Sequence, residues 1–378
     1  MLFEAVRANY PLRYQKNRGL IPRPHRSYPI GYTRNREDQP LESQIVDIRH
    51  FDGREFSSLL QAESRVWGKD LHWDYTSSAK LISTCIDEKR LSGYALVNGR
   101  SIEGYTFFFY EGEKGLIGDL FVPPESGGLA QAVILIEHVI ETLLATPGLH
   151  RIEAQLPHFT FEALHACFRS HGFECYLRRF MAIPLSRRNS VMPSDGSGND
   201  NHSGEESVPE TRDRDGPAAL SDSFAIEPWE RKYDRRAAEL LFSAYRHHVD
   251  ASINDQYNSL EGTNRLIENI VRHRGCGEYL SAYSRVAVYK PTRQLAGILA
   301  LTAVRPMTAH IPQIAVAREF QGRGVGRALM EGAFQGLAAK GYREVSLTVT
   351  DLNSGAVRLY ERLGFETFRT FGAFVWHR

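Results

Sequence analysis

Gln321-Gly322-Arg323-Gly324-Val325-Gly326 is the stretch of this sequence best suited to hold an anion. Glycines let backbone N–H groups approach a ligand closely, and a helical pattern opens at Val325, so the positive end of a helix dipole adds to them. Arg323 and Arg327 set further positive charge beside the turn, and phosphate is the ligand this chemistry implies. A P-loop would need Lys-Ser/Thr after the last glycine, where Arg327-Ala328 stand instead. A dinucleotide fingerprint would need G-x-G-x-x-G and an acid closing the next strand. Here the spacing is G-x-G-x-G, and Glu344 opens that strand. A second group, His165, Cys167, His171 and Cys175, consists of metal-ligating types. This stretch reads as helix, where residues two apart face different sides, so buried thiols are expected there and no metal.

The elements that must position the turn are legible in the pattern around it. It lies between a strand ending Gln313-Ile314-Ala315-Val316 and a long helix over 325–340. The block 224–378 reads as β-α-α-β-β-β-α-β-α-β, and the block 41–185 repeats that order. Strand-like 45–48 corresponds to 224–227, the helix over 129–144 to that over 325–340, and the ending His171-Gly172-Phe173-Glu174 to Leu363-Gly364-Phe365-Glu366. This order implies an α/β (α+β) fold, a mixed sheet flanked by helices, present twice in tandem. Between the blocks, 186–223 reads as a flexible linker. From Ser194 to Pro217 it holds seven acids and two arginines, too few apolar side chains to offset ordering entropy. Residues 1–40 read as an irregular arm broken by five prolines, with eight Lys or Arg up to Arg36 against the single acid Glu4, and interleaved tyrosines. Such an arm either touches RNA or an acidic partner, or simply wraps its own domain.

Gln321, Gly324 and Gly326 also match the R/Q-x-x-G-x-G/A pyrophosphate cradle of acyl-CoA transferases. Together with the preceding strand and the downstream run Asp351-Leu-Asn353-Ser-Gly-Ala-Val-Arg-Leu-Tyr360-Glu-Arg-Leu-Gly364-Phe365, it makes residues 224–378 resemble the GNAT superfamily of N-acetyltransferases. The resemblance implies acetyl-CoA as co-substrate, held by the N–H groups of Ile314, Ala315 and Val316. It also implies the cradle Gln321, Gly322, Arg323, Gly324, Val325, Gly326 and Arg327, with Asn353 on the pantetheine side. It implies direct attack of a primary amine on the thioester, with Tyr360 as the acid that protonates the departing thiolate. An oxyanion donor and a base for the amine are then also needed. His310, eleven residues before Gln321, is the base candidate, with an imidazole pKa near ~6.5 suited to neutral pH. The other reading has it point to solvent at a strand start. Acceptor recognition is expected, by resemblance, from the helix–loop–helix after the first strand. There Asp250 and Asp255 could bind a cationic amine, flanked by Tyr245 and Tyr257; equally, such residues cap helices.

The first block departs from that pattern. Aligning Gly172 with Gly364 sets Phe168 opposite Tyr360 and Phe161 opposite Asn353, and Gly127-Gly-Leu-Ala-Gln-Ala132 stands against the cradle. A phenyl ring donates no proton, so 41–185 reads as a degenerate copy that packs against the catalytic domain or shapes its acceptor site. Lys and Arg total 46 against 45 acids, which argues against a dedicated nucleic-acid binder. Four cysteines form no disulfide framework, and no apolar run approaches the ~20 residues a membrane span needs, so a cytoplasmic setting is expected. Readings kept beside the small-molecule acetyltransferase are a protein N-terminal or lysine acetyltransferase and a non-catalytic CoA-binding regulator. Transfer from an aminoacyl-tRNA is a third. The sequence does not fix the oligomeric state.

Overall fold

A computed structural model describes residues 43–185, 220–273 and 276–378; the arm 1–40 and nearly all of the linker 186–223 lie outside the described residues. In the first half, β1 (Gln44–Asp47) leads to helices α1 (Ser57–Asp70) and α2 (Thr76–Asp87). The antiparallel strands β2 (Ser92–Asn98), β3 (Ser101–Glu111) and β4 (Lys114–Phe121) follow, then α3 (Gly128–Leu144), β5 (Arg151–Gln155), α4 (Phe161–Ser170) and β6 (Glu174–Pro184). The second half opens with β7 (Phe224–Pro228), then α5 (Asp234–Tyr245), α6 (Val249–Ile253) and α7 (Leu260–Arg272). It continues through β8 (Glu278–Tyr279), β9 (Arg285–Tyr289), β10 (Gln294–Arg305), β11 (Thr308–Val316), α8 (Val325–Ala339), β12 (Glu344–Thr350), α9 (Ser354–Arg362) and β13 (Glu366–His377). Apart from the five-residue α6 and the two-residue β8, the order repeats.

The repeat is also visible in which residues are buried. In α3, Ala132, Leu135, Ile136, Val139, Ile140 and Leu143 face inward; in α8 it is Val325, Leu329, Met330, Ala333, Phe334 and Leu337. Both are one helical stripe at i, i+3, i+4 spacing laid on a sheet. Each half carries α-helices on both faces of its strands, so strands such as β10 are buried almost throughout.

The halves do not close separately. The strands form one sheet in the order β1-β2-β3-β4-β5-β13-β6-β12-β11-β10-β9-β7, with β8 also on β10. The last strand of each half has crossed to the other. β13 pairs antiparallel with β5, from Ala373↔Gln155 to His377↔Arg151, and β6 pairs with β12, from Glu344↔Pro184 to Thr350↔Arg178. Phe374 of β13 accordingly sits in the core under α3 and α4, whereas Met181 and Ile183 of β6 sit in the core under α8 and α9. The connection after each first helix also docks on the opposite half. Asp74 N–H donates to Val304 O at 2.8 Å, and Arg151 Nη2 donates to Ser252 O at 2.6 Å.

Candidate active site

β11 and β12 run parallel only from Thr308↔Glu344 to Ile311↔Leu347. Beyond that point they part, and the cleft between them is the site. Its opening has a local cause: the pairing of β10 with β11 shifts between Ala300↔Gln313 and Thr302↔His310. This places an extra residue on β11 at Ile311–Pro312, a bulge that bends the strand, and the proline has no N–H to lose there. Ala317 N–H donates to Ala296 O at 2.9 Å. Counting back along the antiparallel ladder, Ala315 and Gln313 face β10, while the N–H and C=O groups of Ile314 and Val316 face the cleft. The side-chain amide of Gln321 donates to Val316 O at 3.1 Å and ties the turn to the strand end.

The turn then delivers α8 to the mouth of the cleft. Gly322 and Gly324 have φ of 73° and 77°, a left-handed backbone that favours glycine, and Gly324 is the residue before the first turn of α8. A Cβ at Gly326 would meet Val316 and Leu359 only at 3.5 Å or more, so its lack of a side chain keeps the cleft wall low rather than relieving a clash. One cavity of about 1020 Å³ fills the space. Its walls include Ile314, Ala315, Val316, Gln321, Gly322, Gly324, Val325, Gly326 and Arg327, and across from them Asn353 and Tyr360. The cofactor-side residues expected from the sequence thus converge, with one exception. Arg323 is not in the wall; its guanidinium lies over the Phe320 ring, 5.6 Å from the centroid. Asn353 caps α9, accepting from Ala356 N–H at 3.3 Å, and so holds the helix that carries Tyr360.

Tyr360 is 7% exposed, and its hydroxyl is neither hydrogen-bonded nor sealed off among the described residues, which leaves it open to the cavity. Burial, with the nearby Asp250 charge, raises its pKa, so the phenol stays protonated over the whole working range. His310 also lines the cavity. Its Nδ1 pairs with Ser346 Oγ at 2.9 Å, and its ring lies against Trp73 and Phe180, with centroids at 5.2 and 5.7 Å. Burial pushes its pKa down to about 3. The expected base titrating near 6.5 is therefore corrected to a neutral imidazole, because the charged form would lose its hydration among aromatic rings.

Of the residues expected to meet the acceptor, Asp250 and Tyr257 are in the wall. Tyr257 stacks on Tyr245 with centroids 4.1 Å apart and donates to Gln313 Oε1 at 2.9 Å. Asp250 Oδ1 accepts from Thr350 Oγ1. Asp255 is the second correction: it is not in the wall, and its carboxylate is held 2.6 Å from Lys114 Nζ, a buried lysine of the first half that also contacts Glu111 and Glu153. Sequence reasoning missed the remaining wall. Trp67, Trp73, Tyr75, Gln155, Arg178 and Phe180 all come from the first half and close the far end of the cavity. The one signal available was a pair of arginines inside an otherwise strand-like run, Tyr176-Leu177-Arg178-Arg179-Phe180-Met181.

The first half has its own version of this corner, differently filled. Phe168, opposite Tyr360, is fully buried and stacked on Phe374 with centroids 3.9 Å apart. Tyr75 stacks on Trp67, as Tyr257 does on Tyr245, and donates to Asp119 Oδ2 at 2.5 Å. Asp119 stands at the β4 position that Gln313 occupies on β11, counting from the parallel pairings. Beside it Glu63 accepts from Tyr105, and His158 Nε2 lies 3.0 Å from Glu63 Oε1. Burial raises the Glu63 pKa to about 7 and raises that of Asp119 as well, and lowers His158 to about 4. No described helix is long and apolar enough to cross a membrane.

The family model "Acetyltransferase (GNAT) family" matches residues 253–365. An uncharacterised N-acetyltransferase of Methanocaldococcus jannaschii is 45% identical over 58 residues, 15% of this chain and 26% of that protein. A mycothiol acetyltransferase of Kocuria rhizophila is 44% identical over 61 residues, 16% of this chain and 20% of that protein. The matched stretches thus span about a quarter and a fifth of these relatives. A crystal structure of a GCN5-related N-acetyltransferase from Sphaerobacter thermophilus superposes with a TM-score of 0.51 at 16% identity, covering 75% of this chain and 80% of that one. It has the same fold.

Proposed function

Residues 253–365 belong to the GNAT acetyltransferase family, and from that premise we propose that the second half transfers an acetyl group from acetyl-CoA to the primary amine of a small molecule. The observation that carries this reading is the convergence of the cradle, the free Ile314 and Val316 N–H groups and the unpartnered Tyr360 hydroxyl on one cavity. Gln321 to Arg327 would hold the pyrophosphate, with Arg323 contributing charge from outside the wall, and Asn353 would border the pantetheine. The Ile314 and Val316 amides would bind pantetheine and the thioester oxygen. As the amine nitrogen attacks the carbonyl carbon, negative charge on that oxygen is stabilised by donors already aimed at it. His310 accepts a hydrogen bond from the amine and orients its lone pair. When the C–S bond breaks, Tyr360 donates its proton to the sulfur, and the proton on nitrogen passes to Asp250. Asp250 then releases that proton to solvent and the phenolate takes one from solvent, so the cycle closes with no net proton change. The first half, with Phe168 in place of the acid, is read as a degenerate copy that builds the acceptor end of the cavity.

The reading is tested by thiol release from acetyl-CoA with a panel of small amines, polyamines, amino acids and peptides. Wild-type turnover with at least one amine is expected. Tyr360→Phe should lower kcat roughly a hundredfold with unchanged acetyl-CoA affinity. A loss under about fivefold would remove the acid role. A purely peptide-dependent turnover would replace the small-molecule acceptor by a protein one.

A further inference from the structure

The far end of the cavity holds a buried cation that the protein does not satisfy. Arg178, on β6, is 6% exposed and lines the cavity. Its Nε is buried without a hydrogen-bond partner among the described residues. Its Nη2 reaches Thr348 Oγ1 only at 3.4 Å, and its Nη1 stands 3.9 Å from Asp250 Oδ1, beyond hydrogen-bond range. A guanidinium has five N–H donors, and leaving it buried and underpaired is costly. Asp250 does not need it, since Oδ1 already accepts from Thr350 and Oδ2 lies 3.5 Å from His248 Nδ1. Gln155 Oε1, from β5 in the same wall, is likewise buried without a donor. Around these polar groups stand Trp67, Trp73, Tyr75, Phe180 and Phe371.

A ligand that completed this set would carry an anion for Arg178 and a basic nitrogen beside Asp250 and Tyr360. It would also need a donor for Gln155 and an apolar body for the aromatic wall. A planar carboxylate is the anion that a guanidinium fork matches best. We propose that the acceptor is an amino carboxylate with an apolar side chain, of the α-amino-acid type, and that the first half supplies its specificity through Arg178 and Gln155. This rests on the acetyl-transfer reading for the chemistry, but not for the recognition. Arg178 acts here as a binding residue that selects the acceptor, while the cradle and Tyr360 are untouched by it.

The test uses the full chain and matched acceptors: the standard amino acids, their amides, and the amines left when the carboxylate is removed. Rates are compared as kcat/KM after correction for the neutral-amine fraction at each pH. For an apolar acceptor such as phenylalanine, loss of the carboxylate is expected to lower kcat/KM on the order of ten- to a hundredfold. Arg178→Met should bring that ratio to about one, and Arg178→Lys should restore part of it. Calorimetry with CoA on both variants reports that the cleft is folded. A wild-type ratio near one, or a preference that survives in Arg178→Met, overturns the proposal while leaving acetyl transfer standing. Calorimetric binding of phenylalanine to the CoA-saturated protein separates the reverse case. Carboxylate-dependent, Arg178-dependent binding without turnover would support the pocket and overturn the acetyl-transfer reading.

Discussion

Replacing His310 by Gln separates two accounts of how the amine loses its proton. The imidazole is buried beside Trp73 and Phe180, and its pKa falls from 6.5 to about 3. A displacement of that size makes charging the ring cost roughly 5 kcal/mol more than in water. The ring therefore stays neutral across the working range and does not shape the acid limb of the rate profile. That limb should follow the acceptor: two amines whose pKa values differ by about two units should give kcat/KM limbs displaced by about two units, in wild type and in His310→Gln alike. Losing one orienting hydrogen bond should lower kcat about fivefold, against the hundredfold or more expected if a general base were lost. Stability supplies an independent check. Between pH 6.5 and pH 3 the unfolded chain binds a proton at this position that the native state refuses, so stability falls as pH falls through that window. By pH 5 the contribution is roughly 2 kcal/mol. Urea denaturation of the two proteins at pH 7.5 and pH 5 should show His310→Gln losing less on acidification by about that amount. A limb fixed near pH 6–7 for every acceptor and abolished in the variant, with a hundredfold loss of kcat, would refute the reasoning.

Three further outcomes follow from other residues. Gly324→Val forces a β-branched residue into φ of 77° at the start of α8; where CoA binding requires that backbone, affinity by calorimetry should fall about 5- to 150-fold, matching a strain of about 1–3 kcal/mol. Phe374→Ala removes a ring that is 1% exposed and stacked on Phe168; it should cost about 3–5 kcal/mol in chemical denaturation, and a loss below 1 would contradict the strand exchange. Glu63→Gln should stabilise the chain increasingly as pH rises. The Glu63 pKa is raised from 4.5 to about 7, so the native state keeps a proton that the unfolded chain releases, and wild-type stability falls as pH rises through that window. The difference between the two proteins should grow by up to roughly 3 kcal/mol and level off above pH 7.

The glycine-rich turn, the order of elements and the residues at the mouth of the cleft were legible because each is local. Glycines at fixed spacing before Val325, and one apolar stripe along α8, carry their meaning within a few turns of chain. Arg323 failed the same reasoning because spacing alone does not say which side of a turn a side chain leaves from. Asp255 failed because its partner, Lys114, lies in the other half, where no local pattern records the pairing. The acceptor wall was hidden for a related reason. β6 and β13 are alike in length and in their final apolar stretch, and nothing within either strand states which of two similar sheet edges it will join. Only the pairing sets Phe180 beside His310 and brings Arg178 into the same cavity wall.

That pairing has a consequence for how the protein comes into being. During synthesis β5 is complete by Gln155, yet its partner Ala373 follows only more than two hundred residues later. β6 waits with both edges unpaired, since its neighbours β12 and β13 are both made later. The first half therefore cannot finish folding as it emerges, and the edge of β5 and both edges of β6 stay open until β12 and β13 are made, the condition under which chains associate wrongly. A truncation that removed β13 would strip a strand from the sheet of the first half, more than two hundred residues upstream. Inheritance of the two halves is coupled in the same way: neither can be lost, shuffled or separately transferred without dismantling the other.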